Sequence, residues 1–205
     1  MGPLSCGFTS RVALGPRPTA TKMKVILLRV LWSLWLLPLA WGPAWAGPPT
    51  VIYLVRHGEK DLTPGLADPL LTPAGEARAT TLRQQLARRH PAALFTTDTR
   101  RTRATLAPLA QATSLTPLVY SAKDPAALVA RIQQEYAGKT VVVVGHSNTL
   151  LPLLAALGAP APMQEIKDEE FDYLFKVTLR EGKPASLTVS RYGAPPQAAN
   201  AGSMH

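Results

Sequence analysis

Two runs in this chain, Thr50–Val55 (TVIYLV) and Thr140–Val144 (TVVVV), are apolar at nearly every position rather than at alternate ones. Successive side chains of a strand point to opposite faces, so such runs fit a sheet that is covered on both sides. Each run then stops at once in polar residues: Arg56-His57-Gly58-Glu59 after the first, Gly145-His146-Ser147-Asn148 after the second. Parallel sheets bind ligands at the carboxyl ends of their strands. The two histidines are therefore expected on one rim of a sheet, where a ligand lies.

The rest of the chain alternates in the same way. Thr72 as N-cap with Pro73 at the first helical position predicts a helix to about Arg89, stopped by Pro91, with Ala74, Ala77, Leu82 and Leu86 as its inward stripe. Ala93–Thr96 reads as a second strand, Arg100–Ala112 as a helix and Leu115–Tyr120 as a third strand. Asp124 or Ser121 caps a helix that reaches Tyr136 and ends at Gly138; after the valine strand, Asn148–Leu157 is a helix ended by Gly158. Phe171–Leu179 and Ser186–Ser190 read as two closing strands around Glu181-Gly182. Strands alternating with helices predict an α/β fold: a three-layer sandwich with a mostly parallel central sheet flanked by helices. One such domain over residues 47–192 suits a chain of 205 residues. The Pro/Ala/Gly/Asn-rich tail 193–205 is expected to be disordered.

The formal charge of +9 is unevenly spread. Residues 1–46 hold five basic side chains and no acidic one, while 47–205 hold 17 basic against 13 acidic. Outside the N-terminal segment the basic residues form only short pairs, Arg88-Arg89 and Arg100-Arg101, so no nucleic-acid stripe is expected. Met23–Ala46 has a positive start (Lys24, Arg29), a 12-residue apolar stretch over Val30–Trp41, and Ala44-Trp45-Ala46 as a small-x-small site. That is the pattern of a secretory signal peptide cleaved after Ala46, which predicts a periplasmic or secreted protein. The competing reading is an uncleaved N-terminal membrane anchor, against which Arg29 and two prolines count. After cleavage no membrane span is expected. Residues 1–22 read as a mis-called start or a disordered segment. Cys6 is the sole cysteine, so a cleaved chain would carry no disulfide.

Three segments carry chemistry: Arg56-His57-Gly58-Glu59, then Thr97 to Thr105 at a helix start, then Gly145-His146-Ser147-Asn148. Arginine forks match phosphate oxygens, and a helix start adds backbone donors and a positive dipole end. Two histidines with several arginines on one rim make a site for a dianion. LVRHGEK, the Thr97/Arg101/Thr105 pattern (TxxxRTxxT) and VGHSNT, in that order and on the expected elements, resemble the histidine phosphatase (phosphoglycerate mutase-like) superfamily from about Val51 to Arg191. The resemblance implies that His57 is a nucleophile that becomes phosphohistidine. It implies that Arg56, Arg101 and His146 bind the phosphate. Gly58 would allow close backbone approach to the phosphate, and Ser147 and Asn148 would support His146. Arg100 and Arg103 compete with Arg101 for the second motif, whose spacing favours Arg101. The chemistry needs no metal and no other cofactor.

The general acid is the weakest part of the pattern. Larger members of the superfamily supply a glutamate from a long insertion before the second histidine. Only 44 residues separate Arg101 from His146 here, so a minimal cap is expected. Candidate acids are Glu59, Asp124, Asp168, Glu169, Glu170 and Asp172. The expected activity is an exported phosphomonoester hydrolase acting on a phosphate carried by a glycan, a lipid or a protein. The alternatives are a non-catalytic phosphate-binding domain of the same fold and a protein phosphohistidine phosphatase. A glycolytic mutase is disfavoured, because it needs a larger cap and a cytosolic substrate.

Overall fold

The computed structural model describes residues 47–195. The signal-peptide and start readings of 1–46, and most of the expected tail, lie outside the described residues.

Six strands form one sheet in the order β3-β2-β4-β1-β5-β6. They are β1 (Thr50–Arg56), β2 (Ala93–Thr96), β3 (Leu118–Val119), β4 (Thr140–Gly145), β5 (Tyr173–Arg180) and β6 (Lys183–Arg191). β1, β2, β3 and β4 pair in parallel. β5 runs antiparallel to β1, and β6 antiparallel to β5, so a hairpin extends the sheet on one side. The helices are α1 (Pro73–Leu86), α2 (Arg100–Thr113), α3 (Pro125–Glu135) and α4 (Ser147–Ala156).

The unbroken apolar runs are explained by two cores, one per face. Ile52 and Leu54 of β1 join Val141 and Val143 of β4 in the first, packed with Leu128 and Ile132 of α3 and Leu150 and Leu153 of α4. Tyr53 and Val55 join Val142 and Val144 in the second, with Leu82 and Leu86 of α1 and Leu106 and Leu109 of α2. Each fully buried side chain of this size contributes about 1.5–3 kcal/mol. This is the expected three-layer α/β sandwich, with no cap inserted between α2 and β4.

Three local expectations differ. α1 ends at Leu86, and Ala87–Arg89 tighten into a 3-10 turn. Its inward residues are Gly75, Arg78, Ala79, Leu82 and Leu86, whereas Ala74 and Ala77 face outward. A buried arginine displaces the expected stripe because Glu59 waits for it beneath the helix. The third strand shrinks to Leu118–Val119, since β2 offers only Phe95 and Thr96 as partners there. Asp124, rather than Ser121, caps α3 by accepting from Ala127 N at 3.0 Å.

Candidate active site

The register of β1 on β4 assembles the rim. Val51 pairs with Thr140, and the ladder runs in step to Arg56 opposite Gly145. His57 N then donates to Gly145 O at 3.0 Å, which sets His57 beside His146. Their ring centroids are 5.4 Å apart, edge to face. β2 reaches the same rim, with Thr96 opposite Val144. It delivers Thr97 and, after one turn, the start of α2 with Arg101.

The His57 ring is buried and oriented. Its Nδ1 lies 2.8 Å from the Gly58 carbonyl oxygen. A carbonyl can only accept, so Nδ1 carries the proton and Nε2 keeps its lone pair. Burial pushes His57 down to about 3, and the fields of Arg56, His146 and Arg101 add to this against the Gly58 carbonyl. Burial, then Arg101 and Arg56, lower His146 to about 4. Both rings are therefore neutral at neutral pH. His146 is held by the Thr97 hydroxyl on Nε2 at 2.9 Å, with the Arg101 guanidinium 3.5 Å from Nδ1. The expected supporters, Ser147 and Asn148, make no side-chain hydrogen bond to it among the described residues. Thr149 steadies its backbone instead, accepting from His146 N at 2.9 Å.

Arg56 and Arg101 are each anchored by the far end of the guanidinium. Arg56 donates from Nη1 to the carbonyls of Lys167, Asp168 and Glu170 at 2.7, 3.1 and 3.2 Å. Its plane lies over Phe171, 4.1 Å from the ring centroid. Arg101 donates from Nη1 to Asp68 at 3.2 Å. The Nε of both is buried without a hydrogen-bond partner among the described residues. An unmet buried donor costs roughly 1–3 kcal/mol, a cost that a phosphoryl oxygen would offset. Arg103 turns away to Asp98 at 2.6 Å, and Arg100 is exposed.

Gly58 serves packing. A Cβ there would sit 2.8 Å from the Gly75 carbonyl oxygen of α1, closer than atoms approach. Its N–H is taken by Thr105 Oγ1 at 2.9 Å, so Thr105 of the second motif ties the first motif to α2.

The candidate acids separate. Glu59 is locked to Arg78 at 2.6 Å, and the hydrogen bonds and charge of Arg78 outweigh burial to lower its pKa. Asp124 is a helix cap. Asp172 is buried against Arg191 at 2.6 Å, and Glu170 is shared by Lys167 N, Tyr173 and Arg191. That leaves Asp168, whose carboxylate lies 3.5 Å from Arg56 with its side chain 95% exposed, and the exposed Glu169.

Sequence reasoning missed three residues. Asp68 accepts from Arg100 N at 2.9 Å, so the chain's own carboxylate occupies the helix start where an external anion was expected. Lys60 places its charge close enough to depress His146. Phe171 packs against both Arg56 and His57. For Asp68 the signal was weak: it is one of three carboxylates, with Glu59 and Asp61, between β1 and α1.

A pH prediction follows from the depressed histidines. Between the ordinary pKa of 6.5 and about 3, the unfolded chain binds protons that the folded His57 refuses. The stability contributed by this difference is full above pH 6.5 and is lost as pH falls toward 3. Urea midpoints should fall from pH 7 to pH 4.5, and less steeply in His57→Gln. Equal slopes for the two proteins would contradict the shift.

The family model described as "Histidine phosphatase superfamily (branch 1)" matches residues 52–123, which hold the first two motifs. No curated protein matches the sequence. Among solved structures, a mycobacterial glucosyl-3-phosphoglycerate phosphatase superposes with TM-score 0.57 at 17% identity, covering 70% of this chain and 98% of its own. The same enzyme with inorganic phosphate gives TM-score 0.55 at 18% identity, covering 73% and 99%. The protein histidine phosphatase SixA complexed with tungstate gives 0.55 at 19% identity, covering 71% and 97%. At these identities the likeness is one of fold, and the matched motifs stand where that fold converges. Over residues 52–123 the chain is thus similar to the histidine phosphatase superfamily (branch 1), and its fold is the one these solved phosphatases share.

Proposed function

We propose that the chain is a phosphomonoester hydrolase that works through phosphohistidine at His57, on an exported protein that meets phosphates carried by glycans, lipids or proteins. The observation that carries the mechanism is the Nδ1 contact of His57 with the Gly58 carbonyl, 2.8 Å long in a buried site. It fixes the tautomer that has a free Nε2 beside the two arginines.

In the first step Nε2 attacks phosphorus and the bond to the ester oxygen breaks. The imidazole keeps its Nδ1 proton on Gly58, which stabilises the positive charge of the phosphorylated ring. Arg56, Arg101 and His146 face the charge on the equatorial oxygens. The leaving oxygen takes a proton from Asp168 or Glu169. In the second step the carboxylate so formed takes a proton from water as the water oxygen attacks phosphorus, the N–P bond breaks with its electron pair returning to Nε2, and phosphate departs. Export rests on the N-terminal sequence pattern alone. N-terminal sequencing of protein recovered outside the cytoplasm should begin at Gly47; recovery with Met23 or Met1 retained would overturn cleavage.

Leaving groups test the proton donor. A nitrophenolate departs unprotonated, whereas an alkoxide does not. Wild-type rates should fall only shallowly as leaving-group pKa rises. Asp168→Asn or Glu169→Gln should lower alkyl phosphate turnover far more than nitrophenyl phosphate turnover. A steep dependence in wild type, unchanged by either substitution, would remove the acid and favour a labile phosphoramidate, the substrate of the alternative phosphohistidine phosphatase. Binding of phosphate with no turnover of any ester would favour the non-catalytic reading.

A further inference from the structure

A cleft of about 1070 Å³ opens beside the rim. Arg56 and Phe171 form its inner wall, and both also pack at the catalytic rim, with Phe171 5.9 Å from the His57 ring. Small-molecule sites typically enclose about 300–1,000 Å³, so the cleft is far larger than a phosphate group needs. The outer wall is apolar, made by Leu62, Pro73, Ala74, Ala194 and Pro195. Leu62 is 78% exposed and, with Pro73 and Ala74, gives the cleft an open apolar edge.

The charges on the cleft favour one kind of occupant. Glu59 is neutralised by Arg78. Arg56 belongs to the phosphate. Asp168 and Glu169 stand against Lys60, so the wall has no surplus of positive charge for a second anionic group. Beyond these charged groups, Thr72 is the one neutral polar residue of the described lining, against six apolar ones.

We infer that the cleft is the leaving-group subsite and takes an extended apolar tail, so that the preferred substrate is a lipid-like phosphomonoester with a single anionic head. The head sits at His57, the ester oxygen lies by Asp168 and Glu169, and the tail runs along Phe171 toward Leu62 and Pro73. The placement of the head rests on the phosphatase reading above; the cleft's preference for an apolar chain does not.

The test uses the full chain and a series of n-alkyl phosphates from ethyl to decyl, each below its micelle threshold, with 4-nitrophenyl phosphate and a hexose phosphate for comparison. Half-burial of each methylene predicts roughly a twofold gain in kcat/KM per added carbon, about sixtyfold from butyl to decyl. Leu62→Asp and Ala74→Glu, both at exposed positions, should flatten that rise. If nitrophenyl phosphate is hydrolysed but ethyl and decyl phosphates, or the hexose phosphate and decyl phosphate, are equal, the subsite is overturned and the phosphatase stands. A chain-length rise that survives both substitutions also overturns it, since the tail then lies elsewhere. If no ester is hydrolysed, the phosphatase reading falls and the subsite is decided by calorimetric titration with ethyl and decyl phosphonate. At least tenfold tighter binding of the decyl compound supports it, and equal affinity overturns it.

Discussion

His57→Ala is expected to remove turnover by roughly 10⁴–10⁶-fold, the scale on which a covalent nucleophile contributes. The expectation rests on position and charge together. His57 is 3% exposed, its ring is neutral through the physiological range, and the Nδ1 contact leaves Nε2 unprotonated within the field of Arg56 and Arg101. No neighbouring group can replace it: the His146 Nε2 is engaged by Thr97. Wild-type protein quenched during turnover should carry phosphate on His57, labile in acid and stable in base. The substitution removes a buried ring, so the measurement pairs rate with near-ultraviolet circular dichroism, and His57→Gln serves as a better-filled second variant. Activity near wild type in a folded variant, or phosphate on His146 instead, would end the proposed mechanism.

The second largest effect is expected at Arg101. Removing one donor aimed at a developing oxyanion typically costs about 10²–10³-fold in kcat, near 3 kcal/mol. Arg101→Ala should show that loss. Arg101→Lys should recover only part, because an ammonium cannot reproduce the planar fork. Arg100→Ala should change little, since that side chain is exposed and its backbone N–H is what Asp68 uses. Asp68→Asn should act in the opposite direction on KM. Asp68 holds the far end of Arg101 at 3.2 Å, and its negative charge repels the substrate dianion, so losing that charge should tighten phosphate binding severalfold. Damage from Arg100→Ala comparable to that from Arg101→Ala would show that the second motif is read one residue out of step.

Much of this molecule was legible in its sequence. Thr50–Val55 and Thr140–Val144 announced strands covered on both faces, because only such strands exclude polar residues from alternate positions. Their abrupt ends placed Arg56, His57 and His146 on one rim, because a parallel sheet aligns the carboxyl ends of its strands. Thr72 and Asp124 were visible as caps because capping is a local hydrogen bond, needing only a side chain and the N–H three residues on. What the sequence could not decide was which partner each charge would find. Glu59, Glu170 and Asp172 looked like free acids until Arg78 and Arg191 came to them across 19, 21 and 19 residues. Asp68 looked like a loop residue until folding set it on Arg101, 33 positions away. The same long-range packing turned Arg78 inward and made Gly58 a packing contact. Periodicity and caps are short-range properties of the chain, so sequence determined the sheet, its rim and the histidines. Ion pairing depends on where distant segments meet, so tertiary structure alone decided which carboxylates remain free to act.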